Sequence, residues 1–110
     1  MILLVCGGRT FHDTRGMGRL LDTFIGRVDI LVHGGAKGAD TAAGWWAEEH
    51  GVHTAVVRPY WARGKAAGMI RNRAMLYLKP DYCMAFPGGP GTAGMVALCR
   101  EHGVTVEVVA

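Results

Sequence analysis

Nowhere in the 110 residues is there an apolar run approaching the roughly 20 residues that a membrane-spanning helix requires. The opening Met1-Ile2-Leu3-Leu4-Val5 is too short for a secretory apolar core, so the sequence predicts a cytoplasmic protein with no membrane partner. Cysteine is scarce: Cys6, Cys83 and Cys99 are odd in number and far apart. That excludes a disulfide framework and a thiolate zinc centre, and predicts three buried free thiols and no metal site. Acidic residues are missing altogether between Glu49 and Asp81, whereas Arg58, Arg63, Lys65, Arg71, Arg73 and Lys79 lie in that interval. The overall excess of +3 is nevertheless too small to imply nucleic acid by itself. Neither a Gly-x-x-x-x-Gly-Lys-Ser/Thr loop nor a Gly-x-Gly-x-x-Gly turn is present, which argues against a P-loop NTPase and an NAD dehydrogenase.

Glycine, by contrast, is abundant: of 17 residues, ten are gathered at Gly7-Gly8, Gly34-Gly35 with Gly38, Gly64 with Gly68, and Gly88-Gly89 with Gly91. Between these clusters strand and helix patterns alternate. Met1 to Cys6 is apolar without a break, the pattern of a strand covered on both faces. Asp13 or Thr14 caps a helix whose stripe is Met17, Leu20, Leu21, Phe24, Ile25 and Val28. Asp29 to His33 is a second strand, and Asp40 caps a helix that buries Ala39, Ala42, Ala43, Trp46 and Ala47 and stops at Gly51. Trp45, about 100° from Trp46 around the helix, is then left partly outside, where it suggests a subunit contact. His53 to Val57 is the third strand; after a loop from Pro59 to Lys65, a helix over Ala66–Leu78 has the stripe Ala67, Ile70, Ala74 and Leu78, with Arg71 at its edge. Tyr82 to Phe86, Gly91 to His102 and Thr105 to Val109 complete the series as strand, helix and strand. Such alternation predicts a single α/β domain over residues 1–110, a Rossmann-like three-layer sandwich on a five-stranded parallel sheet of order 3-2-1-4-5.

In such a sheet ligands bind beyond the carboxyl ends of the strands, where the strand order reverses. The turns Gly7-Gly8-Arg9-Thr10, Gly34-Gly35-Ala36-Lys37-Gly38 with Asp40, and Pro87-Gly88-Gly89 with Gly91 and Thr92 all fall on that rim. Glycine-rich turns leading into helix N-termini suit phosphate: the backbone approaches closely and unpaired N–H groups face the anion. Arg71 and the adjoining Asn72, near the start of the third helix, are placed to add a bidentate cation. Trp61, between Arg58 and Arg63, offers a ring on which a base can stack. Asp40 is read either as a helix cap or as a contact to a ribose hydroxyl, and His33 either as a core-edge histidine or as a catalytic one.

The runs Cys6-Gly7-Gly8-Arg9-Thr10-Phe11, His33-Gly34-Gly35-Ala36-Lys37-Gly38-Ala39-Asp40, Gly68-Met69-Ile70-Arg71-Asn72-Arg73 and Phe86-Pro87-Gly88-Gly89-Pro90-Gly91-Thr92 resemble the SLOG superfamily, in particular its small YspA-type branch found in bacteria and phages. Better-known members are the lonely-guy phosphoribohydrolases, molybdenum-cofactor carrier proteins and DNA-processing protein A. The resemblance implies dimers or larger assemblies and a pocket for a nucleotide or nucleotide-derived molecule, with no other cofactor required. Gly94 and Met95 stand where the lonely-guy enzymes carry glutamates, and N-glycosidic cleavage needs a carboxylate near the anomeric carbon. The expectation is therefore a sensor, carrier or sequestering protein, including a phage-type trap for a host nucleotide messenger. A nucleotide hydrolase or N-glycosidase using Asp40 is the enzymatic alternative. Single-stranded nucleic-acid binding through Arg58, Trp61, Arg63, Lys65 and Arg73 is the third reading.

Overall fold

The computed structural model describes residues 1–110. Its five strands are β1 (Ile2–Cys6), β2 (Ile30–His33), β3 (His53–Val56), β4 (Tyr82–Ala85) and β5 (Thr105–Val108), and its four α-helices are α1 (Thr14–Asp22), α2 (Ala39–Glu49), α3 (Ala67–Leu76) and α4 (Pro90–Glu101). A 3₁₀ segment, Trp61–Ala66, leads into α3. All strand pairings are parallel and the order is β3-β2-β1-β4-β5, as the alternation predicts. No helix is long and apolar enough to cross a membrane.

The apolar run in β1 is divided by the pleat. Leu3 and Val5 face a core shared with α1 and α2, and Leu4 and Cys6 face one shared with α3 and α4. All four are buried, which is why the run does not alternate with polar residues. In α2, Trp46 is buried and donates its indole N–H to Asp22 at 2.9 Å, tying α2 to α1, whereas Trp45 is 60% exposed. Cys6, Cys83 and Cys99 are buried and free; the Sγ atoms of Cys6 and Cys83 lie 3.9 Å apart, well beyond a covalent S–S bond. Mutual thiol contact and burial push the Cys83 and Cys99 thiols up, so neither is a ready nucleophile.

Two helices depart from the pattern read in the sequence. Asp13 caps α1 by accepting from the Gly16 amide at 2.9 Å, but the helix ends at Asp22. Tighter turns follow, closed by bonds such as Phe24 N–H to Leu21 and Arg27 N–H to Phe24. They still bring Phe24 and Val28 into the core but turn Ile25 outward. In α3 apolar residues occur all round the helix, so periodicity alone does not single out a face. The buried side holds Ala67, Asn72 and Met75, while Ile70 and Leu78 of the expected stripe are exposed. Arg71 thus sits on the inner side of α3, half-buried.

This assignment separates two substitutions. Met75→Ala removes a buried side chain and costs about 2–5 kcal/mol in chemical denaturation; Ile70→Ala, 42% exposed, changes stability by about 0.5 kcal/mol or less.

Candidate functional site

The strand order reverses between the parallel neighbours β1 and β4, and the connections that leave their carboxyl ends spread apart there. A cavity of about 630 Å³ fills the gap. The floor is Val5 to Gly8 at the end of β1, one side is Gly34 to Ala36 after β2, and the other is Gly89 to Thr92 at the start of α4. Arg9, Arg58 and Arg71 all reach it. Pro59, Trp61 and Met69 form an apolar border, with Trp61 57% exposed at the mouth.

The sequence-predicted residues divide as follows. Gly7, Gly8, Arg9, Gly34, Gly35, Ala36, Asp40, Trp61, Arg71, Asn72, Gly89, Gly91 and Thr92 line the cavity. Thr10, Pro87 and Gly88 line a neighbouring cleft that shares Gly8, Arg9 and Gly89 with it. Lys37 and Gly38 line neither. Arg58, weighed in the sequence only as a nucleic-acid contact, belongs to the cavity. The signal for it is its position just beyond β3, on the same carboxyl-end rim as the glycine turns. The methionines Met69, Met75 and Met95 also line the cavity, and nothing in their spacing distinguishes them from core residues.

The glycine turns do different jobs. Gly8 is a junction: its N–H donates to Pro87 at 2.8 Å, and its carbonyl accepts from Ala39 at 3.2 Å and Phe11 at 3.3 Å. A Cβ on Gly8 would stand 2.9 Å from the Pro87 carbonyl oxygen and 3.0 Å from the Gly88 Cα, so a side chain would force β1 and β4 loops apart. At the start of α4, Pro90 occupies the first turn and the amides of Gly91 and Thr92 have no acceptor within the chain. These amides, with the partial positive charge of the helix end, face the cavity rim.

The turn after β2 is different, because its amides are already taken. Asp40 Oδ2 accepts from Gly34 N–H at 3.0 Å and from Ala36 N–H at 3.1 Å, and His33 Nδ1 accepts from Gly35 N–H at 3.0 Å. The carbonyls bind arginines instead: Gly34 accepts from Arg71 Nη1 at 2.8 Å and Gly35 from Arg58 Nη1 at 3.1 Å. Asp40 is therefore not the cap of α2; Gly38 holds that position, and Asp40, inside the first turn, reaches back to the loop. Gly35 has φ +75°, a conformation that an L side chain rarely adopts. Arg71 Nε donates to Asn72 Oδ1 at 3.0 Å, and Asn72 Nδ2 to the Gly91 carbonyl at 3.4 Å, so the arginine is braced against α4 as well.

Burial sets the ionisation of this cluster. Burial pushes the His33 pKa down, against the pull of Asp40 and with the push of Arg58. Burial pushes Asp40 up, while the amide of Ala36, His33, Arg71 and the amide of Gly34 draw it back. Arg71 is lowered by burial first, with Asp40 raising it and the like charge of Arg9, which lines the same cavity, lowering it. A neutral His33 is what its Nδ1 bond requires, since a protonated ring has no acceptor.

Comparison with known proteins identifies the family. The profile of the YspA, cpYpsA-related SLOG family (YAcAr) matches residues 1–64. The chain is also similar to the Gene 61 protein of Mycobacterium phage D29, with 33% identity over 115 residues, covering 94% of this chain and 92% of that protein. The chain belongs to the YspA, cpYpsA-related SLOG family.

The titration of His33 has a measurable consequence. Its folded-state pKa lies below the ordinary 6.5, so between the two values the unfolded chain binds more protons and stability falls as pH drops through that window. Asp40, raised above 3.8, acts oppositely: its contribution is greatest at low pH and is lost as pH rises through the folded value. Urea denaturation followed against pH should show stability declining below 6.5 in the native protein and a shallower decline in His33→Asn.

Proposed function

We propose that this SLOG-family domain binds a phosphorylated nucleotide or nucleotide-derived signalling molecule in the cavity, as a sensor, carrier or sequestering protein. The observation that carries the reading is a charge imbalance. Arg9, Arg58 and Arg71 converge on a cavity whose single lining carboxylate, Asp40, is engaged by two loop amides. Unpaired amides at the start of α4 add donors on the opposite side. Guanidiniums and oriented amides are the donors that phosphoryl oxygens accept from most strongly. Trp61, Pro59 and Met69 provide an apolar border against which a base can pack.

The similarity to a phage protein supports the sequestering form of this reading, in which the domain holds a host nucleotide messenger intact. Self-association fits the same picture: Trp45, Met69, Ile70 and Tyr77 are all exposed, and a dimer or tetramer is expected to cover part of them.

Hydrolysis is the second reading, favoured by one observation: Asp40 lines the cavity and burial raises its pKa, as a general acid requires. The two readings diverge under chromatography of incubated nucleotides. Binding alone returns them intact after heat release, whereas hydrolysis liberates base or phosphate.

Thermal shift against ADP-ribose, cyclic nucleotides and mononucleotides tests the leading reading, because a ligand at about 100 times its Kd stabilises by about 2.7 kcal/mol. Stabilisation by at least one of them is expected, and by none would defeat the proposal. In the bound complex, Arg71→Ala should cost about 1.5–3 kcal/mol of affinity by calorimetry, the range for hydrogen bonds to charged groups.

A further inference from the structure

We propose that His33 and Asp40 are positioning residues that aim two arginines at the ligand through the two peptide planes of the Gly34–Ala36 turn, His33 acting on Arg71 and Asp40 on Arg58. The inference rests on the ligand-binding reading for its consequence, and on the hydrogen-bond geometry for its mechanism. A trans peptide is planar, and its N–H and C=O point in opposite directions. The plane between Gly34 and Gly35 is held at its N–H by His33 Nδ1 and presents its carbonyl to Arg71 Nη1. The next plane, between Gly35 and Ala36, is held at its N–H by Asp40 Oδ2 and presents its carbonyl to Arg58 Nη1. Each acceptor behind the turn thus fixes the direction of a carbonyl in front, and each carbonyl holds one guanidinium. The Nη2 group of each arginine is left without a protein acceptor, and both side chains line the cavity. The turn would otherwise offer amides to an anion. Here it spends them on buried side chains and recruits full positive charges, which bind phosphoryl oxygens more strongly than neutral amides do.

Two alternatives make different predictions. If Asp40 is a general acid, its carboxyl must exchange a proton with the ligand; as a positioning residue it needs only an acceptor oxygen. A single oxygen accepts from both amides, so the side-chain carbonyl of Asn can replace it. For His33 the Oδ1 of Asn takes the place of Nδ1, whereas Leu offers no acceptor. The groups facing His33 are Asp40 from α2 and Arg58 from the segment after β3, with Arg71 facing Asp40 from α3.

The experiment is a double-mutant cycle read by calorimetry with ADP-ribose, whose diester phosphates keep the same charge from about pH 5 to about pH 8. His33→Leu is expected to weaken binding about tenfold, a loss of about 1.4 kcal/mol, and His33→Asn to restore most of it. In an Arg71→Ala background His33→Leu should have almost no further effect, while in Arg58→Ala it keeps its full effect. Equal losses in both backgrounds, or an Asn variant as weak as Leu, overturn the proposal. Asp40→Asn should retain binding and Asp40→Ala lose it; loss in both would overturn the positioning role of Asp40. If His33→Leu does not fold, the pH profile decides. Native affinity should fall on acidification through the His33 titration and remain level in His33→Asn, and affinity that rises with acid would overturn the mechanism. If no nucleotide binds at all, the ligand reading fails but the positioning claim is still decided by NMR of the free protein. The Arg71 Nη1–H protons, which bond the Gly34 carbonyl, should exchange slowly in the native chain and in His33→Asn but fast in acid for the native chain alone; insensitivity to His33 overturns it.

Discussion

A single residue, Gly8, joins the three turns that frame the cavity. The Gly8 amide donates to Pro87 beyond β4, and its carbonyl receives the amide of Ala39, the first residue of α2, and that of Phe11. Three turns that belong to separate βα units are thereby locked within backbone contact at one point. Because the strand order reverses beside β1, the rest of their length diverges from that point, and the cavity is the space between them. Glycine at this position is required by proximity, since any side chain would strike main-chain atoms that cannot move without moving a strand.

Around that junction the protein has placed more positive than negative charge and has hidden what negative charge there is. Asp40 is buried, and its oxygen is shared between two amides, which stabilise the carboxylate against the cost of desolvation. The three arginines have no comparable partner: two bond to carbonyls and the third, Arg9, is exposed at the rim. An anion entering the cavity would therefore meet donors that are held in direction but not neutralised, the arrangement that minimises reorganisation on binding. Arg63, Lys65, Arg73 and Lys79, the remaining cations of the acid-free interval, do not line the cavity, so the interval as a whole is not one binding surface.

Much of this was legible in the residues. The unbroken apolar run of β1, the strand–helix alternation and the glycine pairs after β1 and β2 lead to the sheet order that is observed, because a strand buried on both faces and short crossovers leave few topologies open. Trp46 inside and Trp45 outside follow from helical geometry alone. The inner face of α3 was not legible: with apolar residues on every side, periodicity carries no direction, and the choice of Met75 over Ile70 is made by the sheet against which the helix lies. The early end of α1 is likewise a matter of local hydrogen bonds closing over three residues, while Phe24 and Val28 reach the core by either path.

By itself the sequence determined the class of fold, the rim on which a ligand would sit and the residue types available there, since these depend on local pattern and on the handedness shared by all parallel sheets. The tertiary structure alone decided which donors remain free. Whether the amides of Gly34, Gly35 and Ala36 face a ligand or a neighbouring side chain depends on how far His33 and Asp40 can reach across the turn, and that distance exists only once α2 is packed against the sheet. The same holds for Arg58, which is 23 residues from the carbonyl it holds.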